Sequence, residues 1–523
     1  MAATADTTAG TASAAREPNA SVRTWIAMVG CMLGALMSSL DIQVTNASLP
    51  QIEGGIGTGI ANGTWISTAY LVGEMIMIPM ADYLSRVFSF RRFLLGGTVA
   101  FLFCSMGCAF TTNLDQMIVL RGLQGFSAGA MIPLAMTFVL SNLPLRQQAI
   151  GMAIFALTVT FGPAIGPTLG GWLTTHFGWR YVFFVNLVPG TLMLALLYPT
   201  LERAPIRLGL LREGDWWGII FLIVGMSCLQ TMLNEGNRYN WFDSPYIVKL
   251  GLVAGIALAV FVVIELTVEK PLVELRLFAY RNFTLGTVAG IMVGVLIFGS
   301  IYVLPTYLSE VQGYDAQQVG AVMAWAGIPQ LFIIPFMPLL IKHFDPRVLI
   351  IFGIGVMAAS CFMDTHLSAN FAGDQFMNSN LVRGVGQAVT MTPLTMIAFI
   401  GIPQAISGQA SGVFNMTRNL GGSLGTAMLS TIITRRSEFH GEMIGAAAPS
   451  TDPVALKFLG DMQAYFLQHG VPDPARALHQ AEILLARLAQ KQALIMGYAD
   501  AFYVMGWMLV AAIVAVAFTR GKA

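Results

Sequence analysis

Residues 161–171 read FGPAIGPTLGG. Glycine recurs at 162, 166 and 170, proline stands at 163 and 167, and Gly171 closes the run. A four-residue spacing puts Gly162, Gly166 and Gly170 on one face of a helix. A face of small residues lets a second helix approach closely. Pro163 and Pro167 each remove a backbone donor and favour a bend. The flanks, apolar from Phe155 to Thr160 and again at Trp172, place the stretch in lipid. It reads as a tightly packed, bendable seam, although ordinary helix packing also uses such a face.

The composition around it agrees. The chain has 523 residues, 56% hydrophobic and 11% charged, with a mean hydropathy of +0.69. Soluble domains carry roughly 25% charged residues. Apolar runs of the length a bilayer requires, about 20 residues, recur along nearly the whole chain. The expectation is an all-α, multi-pass membrane protein whose first partner is the lipid bilayer. A β-barrel would show short alternating segments instead. A net charge of +1 offers no basic field for nucleic acid. Cys31, Cys104, Cys108, Cys228 and Cys361 all fall in apolar runs and read as packing thiols.

Fourteen spans are expected, near 24–46, 62–84, 93–112, 114–141, 149–172, 181–200, 216–234, 246–268, 283–307, 317–341, 348–367, 378–400, 405–433 and 496–518. Residues 1–23 read as a disordered cytoplasmic tail. With the N-terminus inside, the inner segments hold sixteen Lys and Arg residues and the short outer ones three, Arg180, Arg238 and Lys249. That bias places both termini in the cytoplasm. The long outer segment 435–495 holds six more but translocates regardless of charge. Residues 121–134, RGLQGFSAGAMIPL, echo residues 383–394, RGVGQAVTMTPL. Weak internal repeats of this kind are left by two-fold transporter folds. The expected organisation is a six-helix bundle over 24–201, a linker with two extra spans over 202–282, and a second six-helix bundle from 283–434 and 496–518. The segment 435–495 remains as a long outer loop.

Charge inside a span is expensive and marks function. Asp41 sits in LDIQVTNASLP (40–50), among Ser38, Ser39, Gln43, Thr45 and Asn46. This company suggests a water-filled cavity, where a carboxylate can bind and release a proton. Glu74, nearer the middle of its span, is a second protonatable candidate. Arg121 is permanently charged, and Gly125 and Gly129 on its face would let a neighbouring helix bring a carboxylate or backbone carbonyls close. It would either gate proton release or form a static pair. Gln124, Arg383, Asn415 and Arg418 are the remaining intramembrane polar candidates. No lysine precedes Ser or Thr, so there is no P-loop for ATP. The six histidines lack metal-ligand spacing, and no nucleophile–histidine pairing is legible. A non-enzymatic protein is expected, with no cofactor and protons as the coupling ion.

These segments carry a resemblance. The chain resembles the major facilitator superfamily, in particular its fourteen-span drug/proton antiporters and their EmrB-like branch. LDIQVTNASLP is similar to that family's first-span signature at Asp41, Asn46, Ala47 and Pro50. Arg121, Gln124 and Gly125 match R-x-x-Q-G. GPAIGPTLGG matches an extended antiporter motif, Gly162, Pro163, Gly166, Pro167, Gly170 and Gly171 included. WRYVFFVNLVPG (179–190) and NMTRNLGGSLGTA (415–427) resemble two further branch segments. In the first inner loop, Asp82 and Ser89 stand where the family has glycines. The resemblance implies a major facilitator fold with two inserted helices in a bacterial inner membrane. It implies proton-driven export of hydrophobic drug-like compounds by alternating access. Asp41 would be the main protonation site, tuned by Arg121. It also implies a periplasmic membrane-fusion adaptor and an outer-membrane channel as partners. A nutrient or metabolite transporter on the same fold, and a non-transporting receptor or scaffold, are the alternatives.

The outer loop has helical character of its own. Asp473 is placed to cap a helix with Pro474 at its first position. Ala477, Ala481, Leu484, Leu485 and Leu488 then form an apolar stripe. The stripe needs a partner, either the rim of the bundle or another protein.

Overall fold

The computed structural model describes residues 19–58, 60–212, 214–269, 271–447 and 453–519. Most of the expected tail, with Arg16, and also Lys270, Arg520 and Lys522, lie outside the described residues, as do 448–452 of the outer loop. The long helices in chain order are α1 (Val22–Ala47), α2 (Ile60–Phe88), α3 (Phe90–Ala109), α4 (Leu114–Asn142), α5 (Leu145–Phe177), α6 (Tyr181–Thr200) and α7 (Trp216–Glu235). They continue with α8 (Pro245–Thr267), α9 (Arg281–Glu310), α10 (Ala316–His343), α11 (Pro346–Met363), α12 (Phe376–Ala398), α13 (Ser407–Ala447) and α14 (Pro474–Ala517). Among the described residues eleven of these are long and apolar enough to cross a bilayer, and α2, α12 and α13 are not among them. Those three carry Glu74, Arg383 and Arg418, and α13 also holds a glycine- and serine-rich run. Their polarity follows from what they face, as the functional site shows.

The glycine face at 162, 166 and 170 packs on α1. A β-carbon at Gly162 would overlap Ser39 Oγ, one at Gly166 would overlap the Gln43 side chain, and one at Gly170 would sit 2.6 Å from the Val44 carbonyl oxygen. Gly171 points the other way. Its β-carbon would come within 2.8 Å of the backbone of Ala316 and Gln317 at the start of α10. α5 therefore lies flush against both α1 and α10.

The same device recurs later in the chain. Gly421, Gly422 and Gly425 of α13 lie on α9, where added β-carbons would meet the Ile291 carbonyl oxygen at 2.5 Å, the Phe298 ring and Val295 Cα at 2.8 Å. α13 on α9 thus repeats α5 on α1. The buried apolar residues follow the same division. One core cluster gathers mainly residues of α1 to α8, and another mainly residues of α9 to α14.

Ser89, between α2 and α3, has φ +68° and ψ 138°, a conformation that favours glycine. Its hydroxyl accepts from the Arg92 amide at 3.5 Å and caps α3. The backbone there keeps a glycine-like shape although the side chain is serine.

The outer segment is built from helices. α13 and α14 run far past the neighbouring helix ends, and a short helix, Pro453–Gln468, packs on α14. Asp473 caps α14 by accepting from the Ala475 amide, with Pro474 at the first position. Ala477 and Ala481 are buried, Leu484 and Leu485 half-buried, and Leu488 exposed. The helix Pro453–Gln468 packs alongside, with Phe458, Leu459, Met462 and Phe466 each half-buried. Two amphipathic helices joined by a five-residue turn cover part of one another's apolar faces.

Gly170→Leu should destabilise the protein by about 1–3 kcal/mol, the usual cost of overpacking. Gly96, which has open space around it, is the control. Thermal melting of the detergent-purified protein should show a lowered Tm for Gly170→Leu and none for Gly96→Leu.

Candidate functional site

Asp41 and Arg121 are brought together. Arg121 Nη1 donates to Asp41 Oδ2 at 2.5 Å and to Gln124 Oε1 at 2.8 Å. Gln124 Nε2 donates to Asp41 Oδ1 at 2.9 Å, and Asn186 Nδ2 donates to the same oxygen at 2.6 Å. Asn186 also donates to Ser105 Oγ at 3.0 Å, whose hydroxyl donates to the Phe183 carbonyl. The Tyr70 ring lies 4.4 Å from the guanidinium carbon. Asp41, Arg121, Gln124 and Asn186 are all at most 1% exposed.

Local sequence explains the assembly. Arg121 and Gln124, three apart, share one face of α4. Gly125 and Gly129 let α2 cross α4 closely, with a β-carbon at Gly129 falling 2.5 Å from the Glu74 carbonyl oxygen. Asn113 caps α4 and fixes where it begins. Asn186, within the family-like segment 179–190, holds one carboxylate oxygen. Its polarity inside VFFVNLVPG is the signal that could have found it.

The expectation that Asp41 faces a water-filled cavity is not met. Ser39, Gln43 and Asn46 line a cavity, but Asp41 does not. On a helix turning about 100° per residue, Asp41 lies some 200° round from Ser39. It therefore points towards α4 and α6, while Ser39, Gln43 and Asn46 point to the cavity.

The cavity itself has a volume of about 710 Å³. Its wall is mostly apolar, with Met75, Ile132, Phe298, Tyr302 and Met391. Pro163 and Pro167 of α5 line it, so the bend-prone side of that helix faces the space while its glycines face α1. Glu74 and Arg418 reach it from α2 and α13. Gln51, Ser309 and Asp315 mark the open end. At the other end α4 closes on α13 and on the turn before it, Gln404–Ile406. Ser411 Oγ donates to the Pro133 carbonyl at 3.0 Å, Gln404 Nε2 to the Ser141 carbonyl at 3.1 Å, and Asn415 Nδ2 to Met136 Sδ at 3.3 Å. Asn46 accepts from Ser67 Oγ at 2.5 Å beside the cavity.

Arg383 has a partner the sequence did not disclose. Its Nη2 donates to Asp364 Oδ2 at 2.6 Å, and Nη1 donates to Asn380 Oδ1 at 3.2 Å. Asp364 follows directly on α11, and both members are buried. Arg383, Asn380, Gln387 and Gln330 line a 40 Å³ cavity that shares Pro163 and Thr160 with the large one.

Two helix sets with glycine-faced crossings, enclosing one central cavity, are matched by sequence. The Major Facilitator Superfamily profile covers residues 31–426. The chain belongs to the Major Facilitator Superfamily. It is 33% identical over 425 residues to the multidrug export protein EmrB of Escherichia coli (strain K12), covering 79% of this chain and 81% of that protein. It is 29% identical to the colistin resistance protein EmrB of Acinetobacter baumannii, over 95% of this chain and 97% of that one. Among solved structures, the proton:xylose symporter XylE bound to 6-bromo-6-deoxy-D-glucose superposes with a TM-score of 0.59. At 15% identity, over 95% of this chain and 96% of that one, it shows the fold alone. This is an all-helical superfamily fold.

Removing one member of a buried ion pair costs roughly 3–5 kcal/mol, because the other is left uncompensated. Asp41→Asn and Arg121→Gln should each lower the Tm. The double variant should be less destabilised than the sum of the two, with a coupling of about 0.5–3 kcal/mol. Strict additivity in the four-way cycle would show that the two side chains do not act as a pair.

Proposed function

We propose that this chain exports hydrophobic drug-like compounds from a bacterial cell by alternating access, driven by inward proton flow. The observation that carries the reading is the 710 Å³ cavity, apolar-walled, open at one end and sealed by α4 and α13 at the other. Alternating access requires a site enclosed from one side at a time. The names of the two relatives support the class of cargo.

In this reading α2, α12 and α13 also cross the membrane, giving fourteen spans with the eleven apolar helices. Their polar residues face the cavity or buried partners rather than lipid, which is how charge is tolerated in a bilayer. α1 to α6 form one six-helix bundle and α9 to α14 the other. α7 and α8 are the insertion, and α7 packs along α2 and α13, where the two halves meet. With both termini cytoplasmic, as the basic residues favour, the cavity opens to the periplasm. α5, flush on α1 and on α10, seals the side of the cavity between the halves.

Asp41 is the main proton-binding site, and Arg121 sets how firmly the proton is held. The pair is sealed from the cavity, so protonation and substrate binding communicate through α1, whose other face carries Ser39, Gln43 and Asn46. Asp41→Asn should insert normally but lose pH-gradient-driven drug accumulation in inverted vesicles. Accumulation at wild-type rates would remove Asp41 from the coupling role.

The helical arm formed by the ends of α13 and α14 with Pro453–Gln468 docks a periplasmic membrane-fusion adaptor, which joins the permease to an outer-membrane channel. Met443, Val454, Leu456, Tyr465 and Ile483 are exposed along it. Its base is tied by Arg436 and His440, which meet Asp500 Oδ2 at 2.5 and 2.8 Å. Replacing 441–490 by a short Gly/Ser linker leaves that tie in place. Resistance in cells should fall, while proton-coupled transport in proteoliposomes without adaptor should persist. If resistance survives the replacement, the arm has no docking role.

A further inference from the structure

Among the described residues three arginines are buried within the helices that surround the central space, and two of them are matched. Arg121 meets Asp41 at 2.5 Å, and Arg383 meets Asp364 at 2.6 Å. Arg418 is the exception. It is 6% exposed and lines the cavity. Among the described residues its guanidinium makes no hydrogen bond and no contact ion pair. Glu74, 3% exposed, lines the same cavity from the opposite helix set and is likewise without such a partner. The two carry opposite charges and sense one another electrostatically without touching.

An unmatched buried cation is costly. The backbone that carries it is closely packed: a β-carbon at Gly294 of α9 would lie 2.5 Å from the Arg418 carbonyl oxygen. The side chain lines a space walled by Ile297, Phe298, Ile301, Met75 and Met391. A guanidinium with five unmatched donors in an apolar chamber suits a ligand with a negative head and an apolar body.

We infer that Arg418 is the head-group site for an amphipathic organic anion, and that Glu74 decides when that site is free. Ionised Glu74 competes for Arg418 and repels an anion; neutral Glu74 does neither. The other charged or titratable groups near enough to act on Glu74 are Asp41 of α1, Arg121 of α4 and Tyr70 of its own helix. Asp41 and Arg121 offset each other in their pair, and Tyr70 is neutral, which leaves Arg418 as the governing partner. Anion binding therefore strengthens as pH falls. A proton on Glu74 then travels in the same direction as the anion and cannot drive it, so the driving proton is left to Asp41.

The inference rests on the cavity being the substrate site of the export reading, but it is tested by binding alone, without a gradient. The probes are 1-decanesulfonate, whose head stays ionised at all working pH values, and decyltrimethylammonium, with empty nanodiscs subtracted. The wild-type protein in nanodiscs should bind the sulfonate at least tenfold more tightly than the ammonium, and more tightly at pH 6 than at pH 8. Arg418→Gln should lose at least tenfold in sulfonate affinity, and Arg418→Lys should retain part of it. Glu74→Gln should keep the affinity and flatten its pH dependence. Equal binding of the two probes by wild type, or unchanged sulfonate affinity in Arg418→Gln, overturns the anion site. A pH dependence that persists in Glu74→Gln overturns the role of Glu74. If Arg418→Gln does not fold, the two-probe comparison on wild type still decides. Failure of Asp41→Asn to abolish transport bears only on proton coupling and leaves these outcomes untouched.

Discussion

A guanidinium cannot stay unmatched in the middle of a helix bundle without cost, and Arg121 is matched by a carboxylate eighty residues away in the chain. That pair fixes more than two side chains. Asp41 accepts from α4 through Arg121 and Gln124, and from α6 through Asn186. Tyr70 of α2 stacks on the guanidinium and donates to the Ser38 carbonyl of α1 at 3.3 Å. Four helices are thus bound at one point with both carboxylate oxygens satisfied. Desolvation of such a pair is offset only when the remaining hydrogen-bonding capacity is filled. Anything that alters the charge of Asp41 changes the balance of all four helices at once.

Close approach between helices is the second constraint, and here the chain repeats itself. Lipid offers no hydrophobic drive for helix association, so packing and small residues must supply it. α5 meets α1 through Gly162, Gly166 and Gly170, while α13 meets α9 through Gly421, Gly422 and Gly425. The internal echo visible in sequence was at Arg121 and Arg383. The echo at the glycines is hidden, because GPAIGPTLGG contains prolines and NLGGSLGT does not. The prolines are needed only where α5 lines the cavity, at Pro163 and Pro167.

What could be read from sequence follows from the range over which each signal acts. Helix periodicity, the glycine face, the cap at Asp473 and the charge of Arg121 are local, and all were legible. Which carboxylate answers an arginine is not local. Asp364 lies near the end of the expected span 348–367 with nothing local to mark its partner, yet it is buried and pairs with Arg383. The direction in which Asp41 points was misjudged because polar neighbours were pooled without dividing them by helix face. Ser39, Gln43 and Asn46 share one face and Asp41 lies on the opposite one. In the arm the stripe of α14 is legible, while the packing of Pro453–Gln468 on α14 across the turn at 469–473 is not, because it joins separate helices.

The structure separates two kinds of charge that a sequence would place together. Asp41–Arg121 and Asp364–Arg383 are closed pairs, each held inside one half of the chain and away from the wall of the large cavity. Glu74 and Arg418 are open charges on that wall, one from each half. A proton on the carboxylate of a closed pair would weaken its hold on the helices it binds. Open charges on the wall are placed to meet whatever enters the space. α1 joins the two systems, since its inward face holds Asp41 and its cavity face holds Ser39, Gln43 and Asn46. A shift of α1 against the glycines of α5 would therefore move the cavity wall and the closed pair together. The tolerance for such a shift is small, because the seam has no side chains to compress.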